Sequence, residues 1–160
     1  YDDNTLVLQD DEEYLKQEEN DEFVPVFKGE VTPHVLITSG IKPSQISYSF
    51  IQDLLYVIPN SVYYKRANYD IKEVIKYSTN RNFTDVLVVK DDHSKLTTLM
   101  HIHLGTGPTA LYKVLSYVPA TQVGGHGNKT SHQPELILNR FTTKLGHRVG
   151  RMLGSLFPHD

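Results

Sequence analysis

Residues 35–60, VLITSGIKPSQISYSFIQDLLYVIPN, decide the fold. Val35 to Thr38 is a short apolar run ended by Ser39 and Gly40, the pattern of a buried strand and its turn. Pro43 and Ser44 then start a helix: Ile46, Phe50, Ile51, Leu54, Leu55 and Ile58 recur at helical spacing until Pro59 and Asn60 stop it. A strand leading directly into a helix points to an α/β chain.

Reading outward, Val62 to Lys65 predicts a second strand, and Asp70 is placed to cap a short helix through Ile71, Val74, Ile75 and Ser78. Thr84 to Lys90 is the strongest strand, built on Val86, Leu87, Val88 and Val89. A turn at Asp91 to Ser94 follows, then strands over Leu96 to Leu104 and Thr109 to Val118 on either side of the Gly105-Thr106-Gly107-Pro108 turn. This βαβαββ order predicts an α/β sandwich with a mixed sheet. Residues 119–134, rich in Gly and Pro, form a loop longer than the usual connection and are expected to be functional or mobile. Glu135 to Phe141 is expected to resume as a strand, and Thr142 or Thr143 to cap a final helix running to Pro158. No internal repeat is visible.

The chain has 160 residues, one domain's worth, and a formal net charge of -3, which taken whole argues against a nucleic-acid partner. The average hides a division. Residues 1–30 hold 11 Asp and Glu against 2 Lys and Arg, whereas residues 31–160 hold 8 against 14. Residues 1–22 are too acidic to fold alone and read either as a disordered solvated tail or as a docking segment. Leu6, Val7, Leu8, Tyr14 and Leu15 favour docking, on a partner or on the chain's own basic face.

There is no Cys, so disulfides, thiolate zinc sites and cysteine nucleophiles are excluded, which suits a cytosolic or nuclear chain. Aliphatic runs such as Val86 to Val89 fall far short of the roughly 20 residues of a membrane span, and no membrane partner is expected. The start at Tyr1, without a signal-type leader, is the expected mark of a piece of a longer product.

Residues 143–157 carry three stripes when placed on a helix. Lys144, Arg148 and Arg151 form a basic face, while Leu145, Val149, Met152, Leu153 and Leu156 lie opposite as the expected core side. Gly146, Gly150 and Gly154 make the third. Mid-helix Gly costs about 0.5 to 1 kcal/mol each relative to Ala, so the stripe suggests a groove for close approach by a protein element or a nucleic-acid backbone. An ordinary amphipathic helix with a solvated charged face is the plain alternative. Together with His147 and Arg140, the stripes point to phosphate recognition, since guanidinium groups grip phosphate bidentately. Lys65 and Arg66, beside Tyr63 and Tyr64, form a second, weaker cluster in which the aromatics either stack on unpaired bases or simply pack.

Signals for catalysis are poor. His101 and His103 share a strand face, but no carboxylate or thiol stands at ligand spacing in sequence, so satisfied or exposed strand histidines are expected rather than a metal site. Gly105 to Thr109 lacks the Lys-Ser/Thr of a phosphate loop, and Pro108 removes an amide such a loop would use. Ser39, Ser44 and Ser47 have no visible His and Asp arrangement.

Several runs appear in a recognisable order over residues 21–159: Thr32 to Ser39, Val57 to Ser61 with Tyr63 and Tyr64, Phe83-Thr84-Asp85, Gly107-Pro108-Thr109-Ala110, and above all Ile137 to Met152 with Ser155-Leu156-Phe157-Pro158. In that order they resemble the Brix domain family. The resemblance implies two related α/β halves, each similar to the anticodon-binding domain of class II aminoacyl-tRNA synthetases. Residues 23–160 would then be the N-terminal half plus a strand and a sigma-factor-like basic helix, with the family's second half absent from the chain.

The resemblance further implies a nucleolar, non-enzymatic assembly factor of the large (60S) ribosomal subunit that binds pre-ribosomal RNA, supports rRNA processing and needs no cofactor. Implied partners are other pre-60S assembly factors, among them a zinc-binding factor of the maintenance-of-killer type, and ribosomal proteins. The family's RNA-binding segment corresponds to the final helix, so Lys144, Gly146, Arg148, Gly150 and Arg151 inherit that role. Lys144 stands where relatives commonly carry Arg, keeping the charge but losing the bidentate fork. A protein-interaction scaffold that does not recognise RNA through this helix is the alternative.

Overall fold

Asp85–Asp92 is the middle strand of a five-stranded sheet in a computed structural model that describes residues 5–6, 12–128, 130 and 132–159. Along the chain run α1 (Glu12–Glu18), α2 (Val24–Phe27), β1 (Val35–Ser39), α3 (Gln45–Val57), β2 (Ser61–Tyr63), α4 (Ile71–Asn80), β3 (Asp85–Asp92), β4 (Lys95–His103), β5 (Thr109–Lys113) and α5 (Lys144–Gly154). They divide into two compact units, residues 34–134 and residues 1–33 with 135–160.

In the first unit the sheet order is β2-β1-β3-β4-β5. β1 is parallel to β2 and β3, with Val35 paired to Ser61 on one side and Asp85 on the other, while β4 and β5 return antiparallel. The mixed α/β sheet matches the expectation, and the three strands read from Thr84, Leu96 and Thr109 all form after α4, which makes the order βαβαβββ, one strand more than βαβαββ. Every residue of β1 is buried, as a parallel strand must be when both faces are covered. Because side chains alternate, Leu36, Val86, Val88 and Ile102 share one face, where Val62 and the α4 residues Ile71, Val74 and Ile75 pack on them. Each of the four buried residues, Leu36, Val86, Val88 and Ile102, contributes about 1.5–3 kcal/mol on burial.

Both helix starts in this unit are where the sequence places them. Asp70 caps α4 in a capping box, its Oδ1 accepting from Ile71 N at 2.7 Å while Glu73 Oε2 accepts from Asp70 N at 2.7 Å. Ser44 caps α3 by position, but the acceptor is Asp91, which receives Ser44 N at 3.3 Å and Ser47 Oγ at 2.5 Å. Among its described residues, the long connection after β5 contains a single turn of 3-10 helix, at Ala120–Gln122. It is tied to α3 through Asp53 Oδ2, which accepts from Tyr117 Oη at 2.5 Å and Ala120 N at 3.0 Å. The last expected strand of the sheet is shorter than read, ending at Lys113.

The second unit holds α1, α2 and α5. The expected strand over Glu135 to Phe141 does not form. Arg140 takes a left-handed φ of 61°, which breaks an extended run, and Leu138 and Phe141 turn their side chains onto the glycines of α5 instead. Thr143 is the cap, its Oγ1 accepting from Gly146 N at 3.0 Å. Leu145, expected on the core side, is 74% exposed, whereas Met152, Leu156 and Phe157 are buried. Of the acidic lead, Val7, Leu8, Asp10 and Asp11 lie outside the described residues; Leu6 makes an isolated antiparallel bridge with Thr143.

Candidate nucleic-acid interface

The basic face of α5 is occupied by acids from the same chain. Arg151 forks onto Asp21, with Nε 2.5 Å from Oδ2 and Nη2 2.8 Å from Oδ1, and Nη2 also donates to Glu18 O at 2.8 Å. Arg148 Nη2 donates to Glu22 Oε1, and its Nη1 lies 3.6 Å from Asp21 Oδ2. His147 Nδ1 is 3.4 Å from Glu18 Oε1. The two guanidinium groups also lie over aromatic rings, Arg148 over Phe23 at 5.0 Å and Arg151 over Phe27 at 4.7 Å.

Sequence explains the geometry locally. Arg148 and Arg151 are three residues apart on a helix and therefore neighbours on one face; Phe23 and Phe27 are spaced by four on the opposing segment. Phe23 is fully buried, so its docking holds Asp21 and Glu22 beside the arginines. Single exposed ion pairs are worth about 0–1 kcal/mol. Here Asp21 is 7% exposed and bridges two cations, and such a network gains more than isolated pairs.

The glycine stripe is filled from within the chain. A Cβ on Gly150 would stand 2.9 Å from Phe141 Cε2, and one on Gly146 3.0 Å from Thr143 Oγ1. At Gly154 the neighbours are Phe27 Cζ at 3.0 Å and Leu138 Cδ1 at 3.3 Å. The groove that the sequence left open to a nucleic-acid backbone is thus packed with side-chain rings.

The remaining site residues divide. Arg140 and Lys144 are exposed on the second unit. Lys65 and Arg66 belong to the first, where Lys65 is exposed but Arg66 is 8% exposed. Arg66 Nε donates to Tyr69 O at 2.7 Å and Nη1 to Ser39 O at 3.2 Å. Arg66 therefore acts as an internal tie.

One grouping was read in outline and one escaped the sequence. Docking of the acidic lead on the chain's own basic face was one of the sequence alternatives, and Glu18, Asp21 and Glu22 are the acids that make it. The carboxylate missing beside His101 and His103 comes from the neighbouring strand: Asp85 Oδ1 accepts from His101 Nε2 and His103 Nδ1, each at 2.8 Å, in a fully buried position. The β3/β4 register, which pairs Asp85 with His103, creates that cluster. Among the described residues no group of His, Cys, Asp and Glu could hold a metal, and no helix is long and apolar enough to cross a membrane.

Residues 40–160 match the Brix domain. The chain is 42% identical over 158 residues to a Brix domain-containing protein of Caenorhabditis elegans, covering 99% of this chain and 41% of that protein. It is 41% identical over 159 residues to ribosome production factor 1 of Xenopus laevis, covering 99% and 46%. With the Saccharomyces cerevisiae ribosome production factor 1 it shares 40% over 129 residues, covering 80% and 44%. The chain spans less than half the length of these relatives. A domain match over three quarters of its residues, with this identity along nearly its whole length, places the chain in the Brix domain family.

Proposed function

We propose that this chain acts in ribosome assembly, as a non-enzymatic nucleolar factor of the large (60S) subunit that binds pre-ribosomal RNA and supports rRNA processing. The observation that carries the proposal is the likeness to ribosome production factor 1, 41% identity along 99% of the chain. Its partners are other pre-60S factors, including a zinc-binding one of the maintenance-of-killer type, and ribosomal proteins.

The proposed RNA contacts are Arg140, Lys144, His147, Arg148 and Arg151, with Gly146 and Gly150 setting the spacing of the helix, and Lys65 on the other unit; Arg66, buried and bonded to the Tyr69 and Ser39 carbonyls, supports Lys65 and Tyr69 without touching RNA. The acids on Arg148 and Arg151 make this a two-stage interface. With those acids in place Arg140 and Lys144 offer about two phosphate contacts, a salt exponent near -1.8 and about a 12-fold affinity loss between 50 and 200 mM salt. With the acids displaced about four contacts form, with an exponent near -3.6 and about a 150-fold loss.

One observation favours the scaffold alternative: the bidentate Asp21 partner of Arg151, which gives that arginine a structural role. Binding of a pre-ribosomal RNA transcript, measured across salt for the wild type and for Arg140→Ala with Lys144→Ala, separates the two. Loss of affinity in the double variant supports RNA recognition; unchanged affinity, or no salt-dependent binding by the wild type, leaves the scaffold.

A further inference from the structure

We infer that a tyrosine-lined cleft between the end of β2 and α4 takes an unpaired nucleotide of single-stranded RNA, a reading that rests on the RNA-binding proposal above. The cleft encloses about 500 Å³, within the range of small-ligand sites. Its floor includes Leu36 and Thr38 of β1, both buried. Its walls carry Tyr64, Tyr69 and Tyr77, with Lys65, Lys76 and Asn80.

Three features make this a base site in preference to ordinary packing. The tyrosines remain 40%, 60% and 36% exposed, an arrangement that leaves aromatic surface in water unless something stacks on it. Tyr64 is braced edge-on by Tyr77 at 5.6 Å and by Phe83 at 6.1 Å, and Arg81 lies over Tyr77 at 4.7 Å, so two walls are held rigid while Tyr69 presents the most open ring. The loop bearing Tyr69 is itself fixed, because buried Arg66 grips the Tyr69 carbonyl and the Ser39 carbonyl together. Arg66 is therefore a positioning residue for Tyr69.

The polar complement fits a nucleotide. Lys65 and Lys76 supply cations for a backbone phosphate, and the Asn80 amide supplies a donor and an acceptor for a base edge. The one acid in the wall, Glu73, is committed to the α4 capping box through Asp70 N. Stacking on tyrosine tolerates every base, so the cleft selects unpaired nucleotides over a particular sequence.

The test uses the whole chain and a short uridine-rich single-stranded RNA carrying one fluorescent adenine analogue. Binding by the wild type quenches the analogue, whereas a blunt duplex of the same sequence shows no quenching. Tyr69→Leu is expected to abolish the quench and weaken binding about 5-fold or more, as loss of one base stack does; Tyr69→Phe retains both. Lys65→Ala with Lys76→Ala flattens the salt dependence. If Tyr69→Leu binds and quenches like the wild type while Arg140→Ala with Lys144→Ala still loses affinity, the cleft is overturned and the RNA reading stands. If the wild type binds no RNA, both fall.

Discussion

Asp21 holds Arg151 in a two-point fork, Nε to Oδ2 at 2.5 Å and Nη2 to Oδ1 at 2.8 Å. A carboxylate from the acidic lead thus occupies the geometry by which a guanidinium would receive a phosphate.

Replacing Asp21 by Asn keeps the shape and removes the charge. Between the values for exposed and buried pairs, the expected loss is about 1–2 kcal/mol. Urea unfolding monitored by circular dichroism measures it; a change within error would mean that the ring contacts of Phe23 and Phe27 hold the segment without the ion pairs.

Neutralising the three acids together, Glu18→Gln, Asp21→Asn and Glu22→Gln, removes the negative charge held against Arg148 and Arg151. RNA affinity at low salt is expected to rise, and the salt exponent to move from near -1.8 toward -3.6. Fluorescence anisotropy across a salt series reads both quantities. An unaltered exponent would assign the two arginines to architecture alone.

Gly150→Ala improves intrinsic helix propensity by about 1 kcal/mol, yet its Cβ would meet Phe141 Cε2 at 2.9 Å. Overpacking of this kind costs about 1–3 kcal/mol, so net destabilisation is expected. Combined with Phe141→Ala, the same substitution should become neutral or favourable relative to Phe141→Ala alone. Thermal unfolding of the four-member cycle gives the coupling, and simple additivity would remove the steric explanation.

Burial alone would raise the Asp85 carboxyl, but hydrogen bonds and charge from His101 and His103 outweigh it and hold that carboxyl below the ordinary range. A carboxyl depressed on folding contributes stability that is fully present above its unfolded value of about 3.9 and is lost as pH falls through the folded value. Asp85→Asn is expected to cost about 1–3 kcal/mol at neutral pH and to flatten the decline of stability below about pH 4. Denaturant midpoints from neutral to acid pH test this; parallel curves for variant and wild type would show that Asp85 does not set the acid limb.

From β1 to β5 the element order was legible because its causes are local, whereas α1 and α2, in and just after the acidic lead, were not read as helices. The helical spacing of Ile46 to Ile58, the cap at Asp70 and the apolar run at Val86 to Val89 each lie within one segment, where sterics and side-chain period act directly. Glu135 to Phe141 misled for the same reason. Its strand-like composition says nothing of a partner strand, and Phe141 found the bare faces of Gly146 and Gly150.

By itself, the sequence determined the strand and helix alternation, the basic and glycine stripes of α5, and the division between an acidic lead and a basic body. Only the tertiary structure decided that Asp21 and Glu22 sit on Arg151 and Arg148, that Asp85 joins His101 to His103, and that Tyr69 and Tyr77 face one cleft with Tyr64. Local period sets which face a side chain occupies, but long-range packing and strand register choose its partner.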